Sequence, residues 1–134
     1  MVPNQVRETL VQAAIDVRQR AYAKYSNFLV GAAILAADGN IYTGCNVENS
    51  SYGLTICAER AAVFAATAAG QQRFQLLAIA TAGGGTPCGA CRQVLAEFAP
   101  NLPILLIDVG RPKEITELNL RDLLPQAFTL NPKH

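Results

Sequence analysis

Histidine is nearly missing from this sequence: the only one, His134, is the last of 134 residues. Chain ends are seldom tied down, so His134 is a poor metal ligand and any metal must be held by other groups. Basic clusters are missing too. Eleven Lys and Arg against ten Asp and Glu leave a formal net charge of +1. No stretch gathers the cations, which argues against a nucleic-acid polymer as partner, because phosphates call for a basic stripe. No apolar run approaches the ~20 residues of a bilayer span. The start, Met-Val-Pro-Asn-Gln, leads into alternating polar and apolar residues rather than the apolar core of a signal peptide. No membrane partner is expected, and a cytoplasmic location is the expectation. Repeats, linkers and low-complexity segments are also lacking.

What is present suits one compact domain spanning residues 1–134. The chain is 51% hydrophobic and 16% charged. That is enough apolar material for a sizeable core and for surface buried between subunits. Apolar residues recur at helical spacing from Val6 to Ala21, which predicts a helix from about Gln5 to Tyr22 with Asn4 as its cap. Asp38-Gly39 between two apolar runs predicts a hairpin of 29–36 with 40–46. A polar loop follows over 46–56. An Ala-rich helix is expected from Cys57 to Ala69, ending at Gly70. Strands are expected at 74–81 and 103–109, with a short edge strand at 114–116. A third main helix should begin at Cys88 or Gly89 and run to Phe98. A last helix, capped by Thr116, should run to Leu124 before Pro125. Two β-α-β units behind a leading hairpin imply a three-layer α/β/α sandwich around a mixed five-stranded sheet.

Chemistry concentrates in two short runs. Cys57-Ala-Glu59 opens one predicted helix, and Pro87-Cys88-Gly-Ala-Cys91 opens another. In a reducing compartment these cysteines should be thiols or metal ligands. Three thiolates with one open position suit a catalytic zinc. Helix starts offer unpaired N–H groups and partial positive charge, which favour thiolates. Zinc with three thiolates carries excess negative charge, and Arg60 is placed to offset it by hydrogen bonding to sulfur. Cys45, the remaining cysteine, reads as a small apolar strand residue. Other readings stand beside this one. Cys88 and Cys91 could be a thioredoxin-type dithiol. A structural zinc would need Cys45 as its fourth ligand. Glu59 could simply complement a helix start, since it lies about 200° around an ideal helix from Cys57.

A Cys or His before Ala-Glu, followed by Pro-Cys-x-x-Cys, is the motif of zinc nucleobase deaminases. Further runs carry the likeness: Ala21-Tyr22-Ala23 with Tyr25-Ser26-Asn27-Phe28, Val30-Gly31-Ala32-Ala33, Gly44-Cys45-Asn46-Val47-Glu48-Asn49, Cys57-Ala58-Glu59-Arg60, Pro87 to Val94, and Leu123-Leu124-Pro125 with Phe128. In this order they resemble the small homotetrameric cytidine deaminases of pyrimidine salvage, over nearly the whole chain. The resemblance implies one zinc per subunit on Cys57, Cys88 and Cys91, and Glu59 as the catalytic proton carrier. It implies that Asn46 and Glu48 bind the ribose hydroxyls and that Phe28 packs on the base. The Ala58 backbone would bind the pyrimidine and the Cys88 backbone the departing ammonia. Tyr52 would lie at a subunit contact beside the substrate, and Phe128 would reach a neighbouring subunit's pocket. The implied enzyme is a hydrolase of cyclic-amidine C–N bonds, turning cytidine or deoxycytidine into the uracil nucleoside and ammonia.

Residue chemistry agrees: Asn and Glu offer acceptors to a diol. The same residues also suit ordinary turns, and Phe28 also suits a plain core. Two departures from the family pattern are visible. Lys24 replaces a common proline, and Ala82-Gly-Gly-Gly85-Thr86 is short and glycine-rich. A shorter loop beside Cys88 could widen the pocket toward N4-substituted cytidines. The alternatives are therefore a blasticidin-like or broader aminoheterocycle deaminase, a dithiol oxidoreductase on Cys88 and Cys91, and a non-catalytic zinc interaction module.

Overall fold

The computed structural model describes residues 2–130, so His134 lies outside the described residues. The elements are α1 (Asn4–Arg18), β1 (Gly31–Ala36), β2 (Ile41–Cys45), a 3-10 turn (Tyr52–Leu54), α2 (Ala58–Ala68), β3 (Phe74–Thr81), α3 (Gly89–Phe98), β4 (Pro103–Asp108), β5 (Ile115–Asn119) and α4 (Leu120–Leu123). One five-stranded sheet runs in the order β2-β1-β3-β4-β5. Only β3 and β4 pair in parallel, and the other neighbours are antiparallel. This is the expected mixed sheet. Its adjacent β-α-β unit is β3-α3-β4, while α2 carries the chain from β2 past β1 to β3.

The central strands are apolar throughout, because both of their faces are covered. Alternate residues feed two separate cores. Ala33, Leu35, Leu76, Ala78, Leu105 and Ile107 pack under Leu10, Val11 and Ala14 of α1. Their neighbours Ala32, Ile34, Leu77, Ile79, Ile104 and Leu106 pack under Ala58, Ala62, Val63 and Ala66 of α2 and Leu95 of α3. The layers are thus α1, sheet, then α2 with α3 and α4. Among the described residues, no helix is long and apolar enough to cross a membrane.

The hairpin turns at Asp38-Gly39, where Gly39 adopts φ +92° and Asp38 Oδ1 accepts the Asn40 N–H at 2.9 Å. Gly44 has a different role. A Cβ there would lie 2.4 Å from Ala62 N and 2.6 Å from Ala58 O. Its absence lets α2 sit directly on β2.

Three expectations need correction. The first helix begins at Asn4 behind Pro3 and stops at Arg18, not Tyr22. Tyr22 instead pairs as backbone with the 46–48 segment: its N–H donates to Asn46 O at 2.9 Å, and its carbonyl accepts from Glu48 N at 2.9 Å. The edge strand is Ile115–Asn119 rather than 114–116, because pairing with β4 takes Thr116, Glu117 and Leu118 into the ladder. The last helix is therefore only Leu120–Leu123. Its cap is Asn119, whose side chain accepts the Arg121 N–H, and not Thr116.

Candidate active site

The carboxyl end of β3 meets the N-termini of α2 and α3, the place where open α/β sheets gather ligands. Cys57 and Cys88 are the two N-cap residues, each in extended backbone conformation. Neither is helical, so helical angles do not govern where their side chains point. That is why Cys57 and Glu59 line one cavity despite a spacing that would separate them on a regular helix. Arg60 and Cys91 each stand at the third helical position after an N-cap cysteine, where a cap side chain reaches its partner.

The three sulfurs converge. Cys57 and Cys88 Sγ are 3.8 Å apart, and Cys88 and Cys91 Sγ are 3.4 Å apart. All three lie within 4.8 Å of one another. Zn–S bonds of ~2.3 Å in a tetrahedron require sulfurs roughly 3.8 Å apart, so the triangle fits zinc. Cys45, at the end of β2, is not part of it. Arg60 Nη2 donates to Cys57 Sγ at 3.4 Å, and Arg60 Nε is buried with no protein partner among the described residues. Hydrogen bonding from Cys91, followed by that from Arg60, lowers the Cys57 thiol to about 5. The same contact with Cys57, reinforced by burial, pushes Cys91 well up. A lone thiolate is thus shared among neighbours, and a divalent cation is what would allow all three to ionise together.

Glu59 is only 5% exposed. Desolvation raises its carboxyl from 4.5 to about 7, with the charge at Cys57 acting in the same direction. A carboxyl titrating near neutrality can both take and give a proton.

The cavity, about 310 Å³, is lined by Phe28, Asn46, Glu48, Tyr52, Cys57, Glu59 and Cys88, together with Ser26, Val30, Thr55, Ile79, Thr81, Gly85 and Thr86. A larger cleft of about 510 Å³ between α1 and β5 is lined by residues such as Arg7, Val11 and Glu117 and holds none of the thiols. Chemistry, not size, marks the site. Asn46 Nδ2 donates to Phe28 O at 2.8 Å while its Oδ1 accepts from Val30 N at 2.9 Å, which fixes the segment bearing Phe28. Glu48 Oε1 accepts the N–H groups of Tyr25 and Ser26 at 2.9 and 3.1 Å, and Oε2 accepts the Ser26 hydroxyl. That hydroxyl contact, with the two amides, holds the Glu48 carboxyl below its ordinary value against a smaller opposing effect of burial. Both side chains thus build the loop as well as face the cavity. Ala58 is fully buried in the first turn of α2. Phe128 is 70% exposed and does not line the cavity, its carbonyl taking a 3.0 Å bond from Gln93 Nε2.

The zinc-binding region of cytidine and deoxycytidylate deaminases matches residues 4–105. The chain belongs to this deaminase family. A cytidine deaminase of Sporosarcina psychrophila is 47% identical over 125 residues, covering 91% of this chain and 90% of that one. The crystal structure of cytidine deaminase from Burkholderia pseudomallei superposes with a TM-score of 0.85 at 46% identity, covering 90% and 98% of the two chains. That from Mycobacterium tuberculosis gives 0.78 at 44%, covering 92% and 98%. The deaminase fold is therefore the one expected, and the comparisons do not favour the dithiol or broader aminoheterocycle readings.

The cavity also takes in Ser26, Thr55, Thr81 and Thr86, which residue type alone does not single out. Ser26 stands two residues before Phe28, and that spacing is a usable signal: its hydroxyl accepts the Phe28 N–H at 3.0 Å. Thr55 and Thr81 have no such local mark, since a hydroxyl beside a strand or loop is ordinary chemistry.

Proposed function

We propose that this protein deaminates cytidine, and deoxycytidine, by hydrolysis, releasing ammonia. The observation that carries this reading is a buried Glu59 carboxyl sharing one cavity with a three-cysteine cluster and with Asn46 and Glu48. Cys57, Cys88 and Cys91 would hold one zinc ion, which when bound supplies a Lewis acid that makes water a stronger acid. Glu59 takes the water proton and passes it to ring N3, so that C4 becomes more electrophilic. The water oxygen adds at C4. Glu59 then takes the proton of the new C4 hydroxyl and delivers it to the amino group, so that the C4–N bond breaks, ammonia leaves and C4 becomes a carbonyl. One water is consumed and one ammonia formed, and Glu59 ends as it began.

The other residues bind and orient. Remaining acceptor and donor capacity on Asn46 and Glu48 meets the ribose hydroxyls. Phe28 covers the base, and the free amide of Ala58 at the helix start bonds the pyrimidine. The Cys88 backbone receives the leaving group. Arg60 offsets thiolate charge. Phe28 and Tyr52 line the cavity yet remain 48% and 62% exposed, which supports a homotetramer whose neighbouring copies close the site, with Phe128 reaching across. We take residues 1–134 as one such domain acting in cytoplasmic pyrimidine salvage.

The test is direct. Zinc-loaded protein should consume cytidine, with falling absorbance near the cytidine maximum and one ammonia per nucleoside. Cytidine left intact by zinc-loaded protein, or reduction of insulin disulfides in its place, would refute the reading.

A further inference from the structure

Arg92 stands near the start of α3, where a helix dipole disfavours a cation. Its side chain turns back toward that end and donates to acceptors in the loop just before α3 and in the distant α4. Nε reaches Pro87 O at 2.8 Å and Nη2 reaches Thr86 Oγ1 at 3.1 Å. Nη1 reaches Leu123 O, in the last residue of α4, at 3.1 Å. Helix propensity does not explain so committed a side chain. The fork geometry of a guanidinium does, since it can hold several acceptors in fixed directions.

The first acceptor sits immediately before a proposed metal ligand. The Pro87–Cys88 peptide is planar and trans. Fixing the Pro87 carbonyl therefore fixes the plane of the Cys88 N–H and the placement of the Cα that carries the thiol. The third acceptor lies where the chain leaves α4 toward Phe128. Gln93, the next residue of α3, holds the Phe128 carbonyl at 3.0 Å. One turn of α3 thus grips the loop before Cys88 on one side and the C-terminal segment on the other.

We propose that Arg92 is a positioning residue that presets the Cys88 thiol for zinc and ties the segment after α4 to the same loop. This rests on the reading of Cys57, Cys88 and Cys91 as zinc ligands.

The test uses the full chain loaded with zinc or cobalt, with Arg92→Lys and Thr86→Val as variants. Lysine keeps the charge and loses the fork. In Arg92→Lys, zinc transfer to a chromophoric chelator should quicken by about 10- to 100-fold, the range for partners of metal ligands. Its cobalt–thiolate absorption should shift, and amide exchange over 124–128 should accelerate. Thr86→Val should speed metal transfer by less and leave exchange over 124–128 unchanged. If Arg92→Lys does not fold, Thr86→Val decides: faster transfer supports the proposal and an unchanged rate overturns it. Zinc release from folded Arg92→Lys within about twofold of the wild-type rate also overturns it, because metal-ligand partners normally cost far more. A wild-type protein that takes up no zinc would instead sink the cysteine reading, and this inference with it.

Discussion

The guanidinium of Arg60 and the thiol of Cys57 meet across 3.4 Å, Nη2 to Sγ, from the third helical position to the N-cap of α2. Cys91 repeats that relationship with Cys88 on α3, at 3.4 Å. Two helix starts thus present the same local geometry to each other. One uses its third position for a thiol and the other for a cation. The outcome is three sulfurs with a positive charge beside them.

Removing that charge should loosen the metal. Arg60→Ala is expected to weaken zinc retention by about 10- to 100-fold in competition with a chelator. Retention and activity both equal to wild type would strip Arg60 of this role.

Glu59→Gln keeps the size of the side chain and removes its capacity to carry a proton. Turnover of cytidine should fall by ~10²–10⁴, with zinc content measured by metal analysis unchanged. Near-normal turnover would mean that another group moves the protons.

Acid should open the loop that carries Phe28. The Ser26 hydroxyl and the amides of Tyr25 and Ser26 hold Glu48 below its ordinary value of 4.5. A depressed carboxyl contributes stability above the unfolded value, and this is lost as pH falls through the lower folded value. The Tyr25 and Ser26 amides, followed by NMR below pH 4.5, should lose their bonded shifts with the carboxyl titration. In Glu48→Gln that titration should disappear, and its persistence would assign it to another group.

A side chain at Gly44 has nowhere to go. Gly44→Val drives carbon into the backbone of α2 at Ala58 and Ala62. Overpacking of this kind costs about 1–3 kcal/mol or more. Denaturant titration should show the loss, and zinc retention should fall with it because α2 carries Cys57. A stability unchanged from wild type would contradict the close approach of β2 and α2.

Much of the fold was legible because its signals are local. The Asp38-Gly39 turn, the apolar run 74–81 and the Ala-rich helix ending near Gly70 announce themselves within a few residues, and each forms where expected. Errors fell where distant pairing overrode local preference. Residues 19–22 could have continued a helix, but Tyr22 found partners at Asn46 and Glu48. Thr116 could have capped one, but β4 offered a ladder. The site divides in the same way. Cys57, Cys88, Cys91 and Glu59 could be picked out by residue type and spacing. Ser26 at Glu48 and the reach of Arg92 to Leu123 depend on contacts between residues far apart in the chain.

By itself, the order of residues determined which groups are available for chemistry and which segments favour helix or strand, since backbone preference and side-chain period act over a few residues. The folded arrangement decided the rest. It brought two N-caps together into one sulfur triangle and withdrew Glu59 from water far enough to titrate near neutrality. It also committed Asn46 and Glu48 to the loop they help to build. Such properties depend on desolvation and on distances between separate elements, and these exist only once the layers have packed.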